Sequence, residues 1–133
     1  MPFDWVEYLT VARYLNGDVE ACGDEGRWRS AVSRAYYAAF CHARNYARDI
    51  FGYRPRYIPQ DHEDVRREFA NAAQRLAGEQ RKQIANVALQ LENLRRWRNE
   101  CDYKDQLMGL RSMVVPALKE ATILIDNLTR PRP

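Results

Sequence analysis

The chain has 133 residues, enough for one domain with its own core. Its 46% hydrophobic and 29% charged residues suit a soluble globular domain, and no apolar run approaches the roughly 20 residues of a membrane span. The net charge is only +3, yet residues 1–26 hold one Arg against six acids while residues 27–60 hold seven Arg against one acid, so the basic stretch either steers an anionic partner or pairs with the acidic stretch beside it.

The hydrophobic period is helical throughout, and five segments carry it. The first spans Asp4 to Leu15, with Asp4 and Glu7 spaced as a capping box and Trp5, Leu9, Ala12 and Leu15 as its stripe. Asn16-Gly17-Asp18 should end it. The second, Glu25 to Ile50, is the longest. Trp28, Val32, Ala35, Ala39, His42 and Tyr46 form one stripe, and Tyr36, Phe40, Ala43, Ala47 and Ile50 the next. So wide an apolar surface implies neighbours on several sides, or a second subunit. A third, narrow stripe is basic with an aromatic inside it: Arg34, Tyr37, Cys41, Arg44 and Arg48. Gly52, Pro55 and Pro59 mark the main loop.

The third helix is expected from Asp61 to Gly78, with Val65, Phe69, Ala72 and Leu76 inward. The fourth is expected from Glu79 to Asp102, on the stripe Ile84, Val87, Ala88, Leu91 and Leu94. The fifth is expected from Asp105 to Leu128, with Pro116 removing one hydrogen bond and kinking it. Residues 1–128 then form one all-α antiparallel bundle of about five helices, with residues 129–133 as a frayed tail.

Chemistry-bearing groups are few. Cys22, Cys41 and Cys101 are an odd number at no metal-like spacing, and the N-terminus lacks the pattern of a signal peptide, which together point to a reducing cytoplasm. There is no phosphate loop, no paired metal-ligand motif and no nucleophile elbow, so no metal or cofactor is expected. The stretch Arg95-Arg96-Trp97-Arg98-Asn99-Glu100-Cys101-Asp102-Tyr103 is the most informative. Continuing the inward stripe past Leu91 and Leu94 reaches Arg98. A charge on an apolar face needs a partner. Either Asp102, one turn on, supplies it in a helix-ending ion pair, or Arg98 faces a groove and holds a phosphate. His62 is either a half-buried helix-start residue or a site residue, and His42 reads as a packed core or interface histidine.

Ser33-Arg34-Ala35-Tyr36-Tyr37-Ala38-Ala39-Phe40 resembles the helix-two signature of HEPN domains (higher eukaryotes and prokaryotes nucleotide-binding), and Cys41-His42-Ala43-Arg44 resembles its continuation. His62 followed by Phe69 is similar to the third-helix histidine of that group. Arg98-Asn99-Glu100-Cys101-Asp102-Tyr103 resembles the Arg-x-x-x-Asp-Tyr block ending its fourth helix. The resemblance covers about residues 5–128. It implies a helical bundle that dimerises and that either acts as a metal-independent ribonuclease, sometimes a toxin, or pairs with a minimal nucleotidyltransferase.

The chain departs from the catalytic pattern of Arg, four to six intervening residues, then His. The positions where that His would follow Arg98, 103, 104 and 105, are Tyr, Lys and Asp, and no histidine follows His62. The expectation is therefore a non-catalytic or weakly catalytic module that binds RNA or nucleotide through Arg34, Arg44, Arg48, Arg95, Arg98 and Asn99, or pairs with a nucleotidyltransferase. The alternatives are an active endoribonuclease with Arg98, Asp102 and Tyr103 in its site, with His62 or His42 standing in for the missing group, and a pure protein-interaction dimer. Tyr103 is either an aromatic packed on helix five or, as in some toxin members, an acceptor of AMP.

Overall fold

The computed structural model describes residues 3–16 and 24–129. Five helices run in chain order: α1 (Glu7–Asn16), α2 (Asp24–Phe51), α3 (Asp61–Gln74), α4 (Gly78–Tyr103) and α5 (Leu110–Thr129). No strand occurs among the described residues. The all-α bundle expected from the period is thus the fold.

The 28 residues of α2 make a rod about 42 Å long. Its buried residues include Ala31, Ala35, Ala38, Ala39, Ala43 and Ala47. Small side chains let neighbouring backbones come close, and α2 packs against each of the other four helices. Most of the wide apolar surface of α2 is therefore covered within the chain, while Ile50 of its second stripe stays 50% exposed. Further packing joins α3 to α4, α4 to α5 and α1 to α5.

The helix ends differ from expectation in α1, α3, α4 and α5. Helix α1 begins at Glu7, after the Val6 N–H bonds the Asp4 Oδ1 at 3.0 Å. It ends on Asn16, and Gly17 and Asp18 lie outside the described residues. Helix α3 stops at Gln74, where the Arg75 and Leu76 N–H groups fold back to the Ala72 and Ala73 carbonyls. Gly78, expected to end α3, instead opens α4 with φ +62°, a conformation that glycine adopts without Cβ strain. Helix α5 begins at Leu110, five residues later than expected. Gly109 at φ +72° breaks the helical path. Arg29 takes the Lys104 and Asp105 carbonyls at 2.6 and 3.2 Å, away from any helix. Helix α5 runs through Pro116 and ends at Thr129, one residue into the expected tail; the rest of that tail, like Cys22, lies outside the described residues.

Two side chains that sequence reasoning did not single out fix the loops. Arg29 also donates to the Cys101 carbonyl at 2.8 Å, so one guanidinium satisfies carbonyls at the end of α4. Asp61, only 2% exposed, accepts the Arg56 and Tyr57 N–H groups and the Tyr53 hydroxyl. Burial alone would raise its pKa, but these hydrogen bonds outweigh it and hold the carboxyl below its ordinary range. The 52–60 loop is thereby fastened to the start of α3.

Candidate functional site

The inward period of α4 places Arg98 where the sequence put it, in the bundle at 7% exposure. Its Nη1 lies 3.7 Å from the Asp102 Oδ2 and 3.3 Å from the Tyr37 hydroxyl. Its guanidinium lies over the rings of Tyr36 and Tyr37, 5.1 and 5.3 Å from their centroids. The Nε atom is buried with no hydrogen-bond partner. Asp102 is exposed and is also 3.4 Å from the Ser33 hydroxyl. The helix-ending ion pair therefore forms, and it is reinforced by ring faces from α2 that no spacing within α4 announces. Arg98 and Asp102 line neither of the two cavities described next.

The first cavity is a groove of about 820 Å³ between α3 and α4. His62, Arg95, Arg96, Asn99 and Tyr103 line it, with Arg66 and Lys104. Arg66 pairs with Glu63, and Lys104 lies 3.8 Å from Glu100. Arg95 reaches Glu63 only at 4.0 Å, and its Nε is buried and unpartnered. Arg96 and Asn99 are exposed, and Arg96 makes no ion pair among the described residues. Tyr103 is 75% exposed on the rim, so it does not pack on α5.

The second cavity, of about 440 Å³, lies between α1, α2 and the 52–60 loop. The narrow basic stripe on α2 supplies Arg34, Tyr37, Cys41 and Arg44 to it. Among the described residues neither Arg34 nor Arg44 has a carboxylate partner. By contrast Arg27 pairs with Asp24, Arg29 with Glu25 and Arg56 with Asp64. The positive charge of residues 27–60 is thus partly answered by acids and partly left at this cavity.

His62 lines both cavities. It is half-buried, stacked on Phe40 at 4.1 Å between ring centroids, and its Nδ1 is hydrogen-bonded to the Tyr36 hydroxyl. Burial, then the positive charges of Arg95 and Arg98, push its pKa down to about 4. Burial raises the Tyr36 pKa well above the ordinary value for tyrosine. Both members of the pair are therefore neutral at pH 7. The His62–Tyr36 bond joins residues 26 apart in sequence, and the only signal for it was the resemblance that pointed to both segments.

Two predicted residues stand apart. Arg48 lines neither cavity and pairs with its neighbour Asp49 at 2.8 Å. His42 is half-buried in α2, and burial lowers its pKa, partly opposed by the Asp4 carboxylate. Cys41 and Cys101 are buried free thiols whose pKa values burial raises to about 11, so neither is a thiolate at neutral pH. Among the described residues no group of three or more His, Cys, Asp or Glu is placed to hold a metal, and no helix is long and apolar enough to cross a membrane.

No family model, curated protein or solved structure matches this chain.

Proposed function

We propose that this chain is a HEPN-like helical module that binds RNA or a nucleotide through the α3–α4 groove and cleaves it weakly or not at all. The observation that carries this reading is the state of His62. A general base for attack by a ribose hydroxyl works best with a pKa near the working pH. His62 has a pKa of about 4, and its Nδ1 is committed to Tyr36. It is a poor base, while Arg95, Arg96 and Asn99 beside it are ordinary phosphate-binding groups with spare donors. A homodimer and a nucleotidyltransferase partner come with the resemblance. In that setting Tyr103, exposed on the groove rim, is the accessible hydroxyl for AMP transfer.

An active ribonuclease is the second reading. It is favoured by one observation: after burial, the largest cause depressing His62 is the charge of Arg95, which lines the groove an incoming phosphate would enter. Phosphate on Arg95 would return the histidine pKa toward its ordinary value.

The test uses labelled single-stranded and structured RNA with EDTA present. Wild type is compared with Arg96→Ala, Asn99→Ala and His62→Gln; the first two change exposed positions and leave the core intact. The expected result is salt-sensitive binding, weakened about tenfold by Arg96→Ala, with no cleavage. Cleavage by wild type that His62→Gln abolishes would replace the binding module by the ribonuclease. Absence of both binding and cleavage would overturn both readings and leave the protein-interaction dimer, which light scattering over a dilution series addresses.

A further inference from the structure

The α3–α4 groove uses only part of the unpaired positive charge. Across His62 lies the second cavity, with buried Phe40 and Cys41 in its lining and Trp5, Tyr8 and Tyr57 more exposed. Its volume of about 440 Å³ falls in the range of small-molecule sites.

Its two arginines are held for use. Arg44 lies between two rings, 5.3 Å from the Trp5 centroid and 5.1 Å from that of Tyr57. Its Nε and Nη2 bond Asn45, and Nη1 has no partner among the described residues. Arg34 lies 5.0 Å over Tyr8 and makes no hydrogen bond among the described residues. A guanidinium held over a ring by cation–π attraction can still offer its N–H donors and loses less freedom on meeting an anion. Asp61 is the one carboxylate in the lining, and the Tyr53 hydroxyl and two backbone N–H groups already occupy it.

Tyr57 is the independent observation. Its φ is +57°, the left-handed region that disfavours a bulky side chain. Asp61 enforces that conformation by taking the Tyr57 N–H at 2.6 Å. The outcome is a ring 68% exposed at the cavity mouth. Backbone strain that presents an aromatic face to solvent does nothing for the core, and such strain collects at ligand sites.

We propose that this cavity is a nucleotide pocket, with a base stacked on the Tyr8 and Tyr57 side and its phosphate between Arg34 and Arg44. The class of ligand rests on the nucleotide-binding reading above; the cavity is a separate one. A free mononucleotide and the terminal nucleotide of an RNA strand offer the same chemistry here.

The experiment titrates the full chain with AMP, GMP, CMP and UMP by calorimetry and by fluorescence of Trp5, which lines the cavity. Inorganic phosphate and adenosine serve as half-ligands. A 5′-phosphorylated oligoribonucleotide and its 5′-hydroxyl counterpart represent the strand end. At least one mononucleotide should bind about tenfold or more tightly than either half-ligand, and Arg34→Ala and Tyr57→Gly should each weaken it about tenfold. Tyr57→Gly should keep or raise the melting temperature, because glycine tolerates φ +57°. A mononucleotide that binds no better than phosphate overturns the proposal. So does one lost in Arg96→Ala but kept in Arg34→Ala and Tyr57→Gly, a result that leaves the groove reading standing. Mononucleotide binding lost in Arg34→Ala, with strand binding indifferent to Arg96→Ala, upholds the pocket and removes the groove. Preference for the 5′-phosphorylated strand over the mononucleotide identifies the strand end as the ligand; equal affinity identifies the free nucleotide.

Discussion

Arg98 is inside the bundle because it continues the period of Leu91 and Leu94, and its charge is accommodated in two ways that can be separated. Asp102 offers an ion pair at 3.7 Å but is itself exposed, and exposed partners contribute about 0–1 kcal/mol. Tyr36 and Tyr37 offer ring faces and a hydroxyl in a dry setting, where stacking and the buried stem count for more. Arg98→Ala should therefore cost about 2 kcal/mol in denaturant unfolding, and Asp102→Ala less than about 1 kcal/mol. Equal costs would mean that the ion pair, not the stack, holds the arginine. The inward position of Arg98 was legible because it needs only one helix and its period. The stack was not, because Tyr37 lies 61 residues away and meets Arg98 only once α2 and α4 have packed. The same holds for His62, whose low pKa comes from its burial in the packed bundle and then from Arg95 and Arg98 of another helix.

At the scale of the element, every helix was legible and its ends were less so. Interiors are dictated by the repeat of residues such as Val65, Phe69 and Ala72, all buried as expected. Ends are decided by backbone conformations and long-range partners. Gly78 reads equally well as a stop or a start, Gly109 falls inside the expected span of the fifth helix, and Arg29, which draws the residue 104 and 105 carbonyls away from α5, lies 75 positions upstream of the first of them. Pro116 is the local rule that α5 breaks. It is the seventh residue of the helix and exposed, beyond the first turn where proline is harmless, and it leaves the Ser112 carbonyl without its helical donor. The helix continues because Val114, Ala117, Ala121, Leu124 and Leu128 remain buried against the bundle. Pro116→Ala should restore the bond and stabilise the protein by about 1–2 kcal/mol, less than the full proline penalty because alanine also loosens the unfolded chain. Thermal unfolding checks this, and a lower melting temperature would show that the packed form of α5 requires the proline.

For the whole molecule, the buried titratable groups set a stability plateau with two edges. On the acid side, His62 has a pKa of about 4 in the folded protein against 6.5 as its ordinary value, and burial lowers that of His42 as well. Between those pH values the unfolded chain takes up protons that the folded one refuses, so stability falls as pH drops from about 6.5 to about 4. For His62 alone the loss is about 2 kcal/mol, once the screening of a half-buried ring is allowed for. Asp61, Glu63 and Asp49, whose pKa values are lowered in the fold, extend the loss to lower pH, since protonating them releases their hydrogen bonds. On the alkaline side the sign reverses. Cys41 and Cys101 are raised from 9.0 to about 11, so the unfolded chain releases protons first and stability declines as pH rises through that window. Urea unfolding from pH 4 to pH 11 should show a plateau from about 6.5 to about 9 with a fall on each side. His62→Gln should flatten the acid edge between pH 4 and 6.5 and leave the alkaline edge in place. An acid edge that begins only below pH 4, unchanged by that substitution, would mean that His62 titrates normally. The barrier to its acting as a base, and with it the argument for a binding module over a ribonuclease, would then fall.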